Sequence, residues 1–184
     1  MRAFVAVELP ADVHRRLVQV KRELAGLGAA VRWVRDENLH VTVKFLGAVA
    51  AEAIEALRVE LAGALSGTPA PAATVRRLGA FPTLRRPKVV WAGIDCAPLA
   101  EVAAIVDRGA ARIGVAPEAR PFTAHVTLGR VTGTGGWRSL GDALAARADE
   151  LVGDAVFAEL VALRSGLRPG GALYTKLWSI PFGG

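Results

Sequence analysis

Apolar positions along the chain alternate between two spacings, and the switches predict its elements. Residues 3–9 read as an alternating strand closed by Pro10. Over 11–26, Val13, Leu17, Val20 and Leu24 return every three or four residues, which predicts an amphipathic helix stopped at Gly26. Strand-like stretches follow at 31–34 and 39–46, then a second helix over 51–65 through Ile54, Leu57, Leu61 and Leu65. The segment S-G-T-P-A-P-A (66–72) reads as a loop, and 73–80 and 87–94 as two strands joined by a turn containing Pro and Arg.

The second half runs through a similar order. A helix is predicted over 98–113, a strand over 123–131, and a helix over 139–151 after the Gly-rich T-G-T-G-G (132–136). Two strands close the chain, 155–164 and 172–180, separated by the turn G-L-R-P-G-G (166–171). Each half then reads as helix, His-bearing strand, helix, and two strands joined by a turn. The expected fold class is α+β: two pseudo-symmetric lobes with antiparallel sheets flanked by helices, and a cleft between them. Residues 1–184 are expected to form one such domain.

Composition narrows the class. Of 184 residues, 52% are hydrophobic and 22% charged, enough apolar surface for a core, which excludes a disordered chain. The single cysteine, Cys96, makes no internal disulfide, and no C-x-x-C is present, so a reducing compartment is expected. No signal peptide and no long uncharged apolar run is seen, which points to a soluble, cytoplasmic protein outside the membrane. The net charge of +6 suits phosphate-bearing partners, although an Arg-rich genome would produce the same excess.

The chemistry lies in the histidines. The chain has three, and two of them open the same tetrapeptide: His40 begins H-V-T-V and His125 begins H-V-T-L. On a strand, side chains alternate between faces. His40 and Thr42 then share one face with Val41 and Val43 on the other; His125 and Thr127 do the same against Val126 and Leu128. Two such pairs facing each other across a cleft suit in-line displacement at one phosphorus atom. Histidine has an unperturbed pKa of about 6.5, so near neutrality one imidazole can be base and the other acid. Each role contributes on the order of 10²–10⁴ in rate. Threonine hydroxyls can bond the phosphoryl oxygens as charge builds on them, and this scheme uses no metal or cofactor.

Strict alternation extends to the neighbours. It puts Lys44 on the His40 face as a candidate phosphate ligand and turns Phe45 inward with the valines. It puts Arg130 on the face opposite His125 unless the strand bends; with a bend, Arg130 becomes a second charged donor to phosphate. His14, in D-V-H-R-R of the first helix, has no partner motif and reads as a surface residue.

These motifs with their flanks resemble the two-histidine phosphoesterases, and within them the bacterial RNA 2',3'-cyclic phosphodiesterases, also called the 2'-5' RNA ligase family. The resemblance runs through M-R-A-F-V-A-V-E-L-P (1–10), R-W-V-R-D-E-N-L-H-V-T-V-K-F-L-G (32–47), G-A-F-P (79–82), P-K-V-V-W-A-G (87–93), R-P-F-T-A-H-V-T-L-G-R (120–130) and L-R-S-G-L-R-P-G-G-A-L-Y (163–174). It implies that His40 is the proton donor to the leaving 3' oxygen, that His125 is the proton acceptor activating water, and that Thr42 and Thr127 hold the phosphate. The implied product is an RNA 2'-phosphomonoester. The family is also linked to a weak, reversible 2'-5' ligation of tRNA halves at the same site.

Partners follow from this reading: RNA with 2',3'-cyclic phosphate ends or small cyclic nucleotides, with the protein acting as a monomer. Trp33, Phe45, Phe81, Trp91 and Tyr174 are candidates for stacking bases, each with core packing as the alternative. The run 76–88, which mixes basic and aromatic residues, is either an RNA rim or a charged hairpin. Two other functions remain open at this point. One is a binding module that uses the cleft without catalysis. The other is a metallohydrolase, for which two histidines fall short of the usual three protein ligands, with only Asp36 and Glu37 nearby in sequence.

Overall fold

A computed structural model of the chain describes residues 1–168 and 171–183. Among these, the apolar pattern forms β1 (Arg2–Glu8), α1 (Ala11–Ala25), β2 (Val31–Trp33), β3 (His40–Ala48), α2 (Ala51–Ala64), β4 (Ala72–Thr83) and β5 (Arg86–Asp95). The chain continues through α3 (Ala97–Arg112), β6 (His125–Val131), α4 (Trp137–Ala146), β7 (Leu151–Val156), β8 (Glu159–Arg168) and β9 (Gly171–Pro181). The expected strand over 155–164 is two strands, because the chain turns at Phe157 and Ala158. Phe157 is itself fully buried and anchors that turn. The fourth helix ends at Ala146, and Leu151, expected to close it, opens β7 instead. Of the expected turn 166–171, Gly166 to Arg168 extend β8 and Gly171 begins β9; residues 169 and 170 lie outside the described residues.

The strands form one antiparallel sheet in the order β7-β4-β5-β6-β3-β1-β8-β9. Its centre is narrow. β3 and β6 meet through a single pair, Val41 and Val126, and β2 then takes the place of β3 beside β6 at Val31–Trp33. The sheet thus divides into two four-stranded lobes, β7-β4-β5-β6 and β3-β1-β8-β9, consistent with the expected α+β two-lobed architecture. The order reads the same from either edge when β3 exchanges with β6, β1 with β5 and β8 with β4. The repeated unit is therefore strand–helix–strand–helix, β1-α1-β3-α2 against β5-α3-β6-α4, rather than a half ending in two strands. β4, which follows the first unit, and β8, which follows β7 after the second, each pair in the opposite lobe, which makes the halves interdependent.

Helices cover one face. α1 packs on β7 and α4 on β4, while α2 lies against β9 and α3 against β3. Leu17, Leu57, Leu99 and Leu140 from the four helices meet Val5, Val41, Val126 and Leu128 from the strands, all fully buried. Each such side chain contributes roughly 1.5–3 kcal/mol of burial. The opposite face of the β3-β1-β8-β9 lobe carries a smaller cluster of Phe4, Ala6, Val161 and Leu163, with Tyr174 packed against it.

Matching irregularities break the alternation of the two central strands. In the β1–β3 ladder Ala6 pairs with Thr42 and Val5 with Lys44, so Val43 is an extra residue. In the β5–β6 ladder Trp91 pairs with Thr127 and Val90 with Gly129, so Leu128 is extra. Each bulge sits one residue past a motif threonine and exchanges the faces of the residues next after it; β3 has a second shift further on, at Leu46. Lys44 consequently turns to the helix side, where it is 2% exposed. Its Nζ donates to the Ala116 carbonyl at 2.7 Å and pairs with Asp107 at 2.6 Å and Glu118 at 3.5 Å. The ammonium holds the Asp107 carboxyl below its ordinary range. The same exchange makes room for β2: a Cβ on Gly129 would lie 2.5 Å from Val31 Cγ1 and 3.0 Å from Trp33.

Removing one partner of an enclosed ion pair strands the other charge. Lys44→Ala is expected to lower the free energy of unfolding in urea by about 2–4 kcal/mol, less than for a fully buried pair because Asp107 keeps access to water. A change below about 0.5 kcal/mol would show that this pair does not hold α3 on β3.

Candidate active site

His40 enters β3 from a 3-10 turn at Asp36–Asn38 that is fixed on three sides. Lys21 and Arg22 of α1 bind the two carboxylate oxygens of Asp36, at 2.5 and 2.6 Å, and hold its carboxyl below the usual range, Lys21 foremost. The Asp36 carbonyl is 2.8 Å from His14 Nε2, so His14 has a structural partner rather than lying free on the surface. Asn38 Nδ2 donates to the Ala172 carbonyl of β9 at 2.8 Å. The Asn38 carbonyl then accepts from His40 Nδ1 at 2.7 Å. This leaves Nε2 of a neutral His40 as an acceptor, 2.9 Å from the Thr42 hydroxyl.

The second strand repeats the device. His125 Nδ1 is 2.8 Å from the Thr123 carbonyl, again two residues upstream, which leaves Nε2 for the cavity. Because Val41 pairs with Val126 in antiparallel sense, Thr127 lies across from His40 and His125 across from Thr42. All four side chains line one cavity of about 400 Å³ on the face away from the helices.

The surroundings of the two imidazoles differ. Phe4 stacks on His40 with ring centroids 4.9 Å apart, and Tyr174 meets it edge-on at 5.4 Å. Burial pushes the His40 pKa below its ordinary value. The bond to Asn38 and the charge of Glu8 push it back up, and His125 pushes it further down. Burial also raises the Tyr174 phenol. Among the described residues, Phe81 meets His125 edge-on at 5.1 Å.

The bulges decide which neighbours join the site. Arg130, placed by strict alternation on the far face, is brought to the cavity by the extra residue Leu128. Lys44, expected beside His40, is carried to the opposite face by Val43 and is spent on Asp107, so it does not line the cavity. Phe45, expected inside with the valines, is turned out into the cavity and is 62% exposed. Tyr174 also lines this cavity, whereas Phe81 and Trp91 line a neighbouring one and Trp33 packs over Gly129. Arg2, Phe4, Asn38 and Ser165 line the cavity as well. Asn38 had a visible signal in its place two residues before His40; Arg2 and Ser165 had none, since strand pairing alone brings them in. Among the described residues, no three His, Cys, Asp or Glu side chains gather as a metal site. Asp36 is committed to Lys21 and Arg22.

Comparison with known proteins gives a concordant picture. Residues 7–91 match the LigT-like phosphoesterase family. The RNA 2',3'-cyclic phosphodiesterase of Aeropyrum pernix is 31% identical, with 90% of this chain and 94% of that protein covered. The protein of the same name from Methanothermobacter thermautotrophicus is 29% identical, with 96% of each covered. Among solved structures, Escherichia coli LigT complexed with 3'-AMP superposes with a TM-score of 0.78 at 29% identity, covering 98% of this chain and 97% of that one.

The enclosure of His40 has a direct readout. In an NMR titration of the free protein, His40 is expected to protonate with a midpoint below the ordinary histidine value of about 6.5. The folded state then binds fewer protons than the unfolded chain between the two midpoints. The His40 contribution to stability is accordingly complete above the unfolded value and declines as pH falls towards the folded one. A midpoint at or above the ordinary value would contradict the burial of this ring.

Proposed function

The chain belongs to the LigT-like phosphoesterase family, and from that footing we propose that it hydrolyses 2',3'-cyclic phosphate ends of RNA by metal-independent acid–base catalysis between His40 and His125. The observation that carries this reading is the single cavity holding both imidazoles, both motif threonines and Arg130, with each Nδ1 bonded to a carbonyl. Fixing Nδ1 leaves Nε2 of each ring for proton transfer. The names of the A. pernix and M. thermautotrophicus relatives support the same substrate.

In the proposed reaction the cyclic phosphate lies between the two rings. Its non-bridging oxygens accept bonds from the hydroxyls of Thr42 and Thr127 and from the Arg130 guanidinium, which neutralise the charge that grows on them. Neutral His125 takes a proton from water, the water oxygen bonds to phosphorus, and the bond to the 3' oxygen breaks. Protonated His40 gives its proton to that oxygen, leaving a 2'-phosphomonoester. With a 5'-hydroxyl in place of water, the same steps make a 2'-5' linkage. Phe45 and Tyr174 offer apolar surface for the terminal base. A small cyclic nucleotide fits the same scheme.

The expected setting is cytoplasmic, with the chain acting as a monomeric single domain over 1–184. Among the described residues no helix is long and apolar enough to cross a membrane, and Cys96 is a free thiol.

The protein is to be incubated with an oligoribonucleotide ending in a 2',3'-cyclic phosphate in excess chelator, with the product read by phosphorus NMR. A 2'-phosphate is expected, and His40→Ala and His125→Ala should each lower kcat by roughly 10²–10⁴. Full activity in either variant would sink the mechanism. Binding of the RNA without turnover would make the protein a binding module. Inorganic phosphate should also raise the His40 titration midpoint relative to the free protein, because an anion beside the ring favours its charged form. An unmoved midpoint would place the phosphate away from His40.

A further inference from the structure

We propose that a second cavity, adjoining the first at His125, is a nucleobase subsite for the nucleotide next to the cyclic end of the RNA. The proposal rests on the phosphodiesterase reading of the histidine site. This cavity measures about 640 Å³, and His125 lines it together with Arg77, Phe81, Trp91, Asp95 and Phe122. His125 also lines the first cavity, so the two adjoin at this residue.

The walls suit a flat, uncharged ring system. Phe81 stacks on Trp91 with centroids 4.9 Å apart and planes 26° from parallel. The indole has room because its cross-strand partner is Gly79, where a Cβ would come within 2.5 Å of it. Aromatic surfaces of this kind stack bases with little regard for sequence. At the rim, Arg77 is ion-paired with Asp95, and their side chains remain 43% and 41% exposed. The pair offers donors and acceptors side by side, as the edge of a base does. A second phosphate is disfavoured there, since the Asp95 carboxylate would repel it.

Arg77 is held in place at a conformational cost. Its φ of 67° lies in the left-handed region that favours glycine, at the register shift between Arg76 and Leu78. Its N–H donates to the Glu150 carbonyl at 2.8 Å, which fixes this conformation. A glycine would serve the backbone better, so the side chain calls for a reason of its own. Its place in the wall of a cavity shared with the stacked aromatic pair and with His125 supplies one. An RNA strand that presents its cyclic end to the histidines then has a stacking surface within reach of the preceding base.

Three substrates separate the alternatives: a 2',3'-cyclic mononucleotide, a diribonucleotide ending in that cyclic nucleotide, and the same dinucleotide with its first nucleoside abasic. Wild type is expected to process the intact dinucleotide with kcat/KM roughly tenfold above the mononucleotide, and the abasic one at the mononucleotide level. Arg77→Gly suits the backbone at this position and is expected to fold. It should lower the dinucleotide preference severalfold and leave mononucleotide turnover unchanged. An abasic dinucleotide as good as the intact one, or an Arg77→Gly variant that loses both substrates alike, would overturn the proposal. Turnover of the intact dinucleotide checks the underlying reading separately: its absence overturns that reading and the subsite with it. Its presence, without any effect of the neighbouring base, overturns the subsite alone.

Discussion

Val41 and Val126 are the one pair through which the two lobes join at the centre of the sheet, and the geometry of the site depends on that seam. Both are fully buried among the helices, so the residues before and after them must point the other way. Those residues are His40 and Thr42 on one strand and His125 and Thr127 on the other. An antiparallel seam places unlike members of the two motifs opposite each other, with the two imidazoles on a diagonal. The packing requirement of two valines therefore arranges four polar side chains around one space. A wider ladder between β3 and β6 would fill that space with further side chains; a single pair leaves it open.

The bulges extend the logic. If both strands continued regularly, the site would hold Lys44 and lack Arg130. One additional residue in each strand reverses this. The ammonium of Lys44 goes to the rear, where it ties α3 to the strand that carries His40, and the guanidinium of Arg130 comes forward. The exchange suits the chemistry, since a planar guanidinium can bond two oxygens of one phosphate whereas an ammonium acts as a point charge. It also shows why the pseudo-symmetry is only partial. Phe45 stands in the place on β3 that Arg130 occupies on β6, five residues past the histidine in each case. The two sides of the cavity thus differ in kind, one aromatic and one cationic, which suits a ligand with a base at one end and a phosphate at the other.

Much of this was legible in the sequence, because the signals were periodic. Helical spacing located the helices, and period-two alternation put each histidine with its threonine. The seam itself was not legible, since sequence order says nothing about which strands pair, and β4 and β8 each cross to the lobe opposite the unit that precedes them. The bulges were hidden for a different reason. Val43 and Leu128 are ordinary aliphatic strand residues, and their extra place in the ladder appears only against β1 and β5. Strict alternation therefore misplaced Lys44 and Phe45 together, and a single cause accounts for both. The aromatic cover over His40 was also out of sight, because Phe4 and Tyr174 come from opposite ends of the chain.

That cover gives two imidazoles with the same local motif different properties. Each has its Nδ1 bonded to a carbonyl two residues upstream, so the strand context does not distinguish them. Phe4 and Tyr174 do, by excluding water from His40 and making its protonated form costly. In the proposed reaction His40 must nevertheless carry the proton for the leaving oxygen. The two requirements are compatible if the charge that makes protonation favourable arrives with the substrate. An anionic phosphate in the cavity offsets the loss of water around the ring, so binding and proton uptake at His40 become linked. The acid would then form in the complex, where it is needed, and the aromatic enclosure would keep that ring neutral while the cavity is empty.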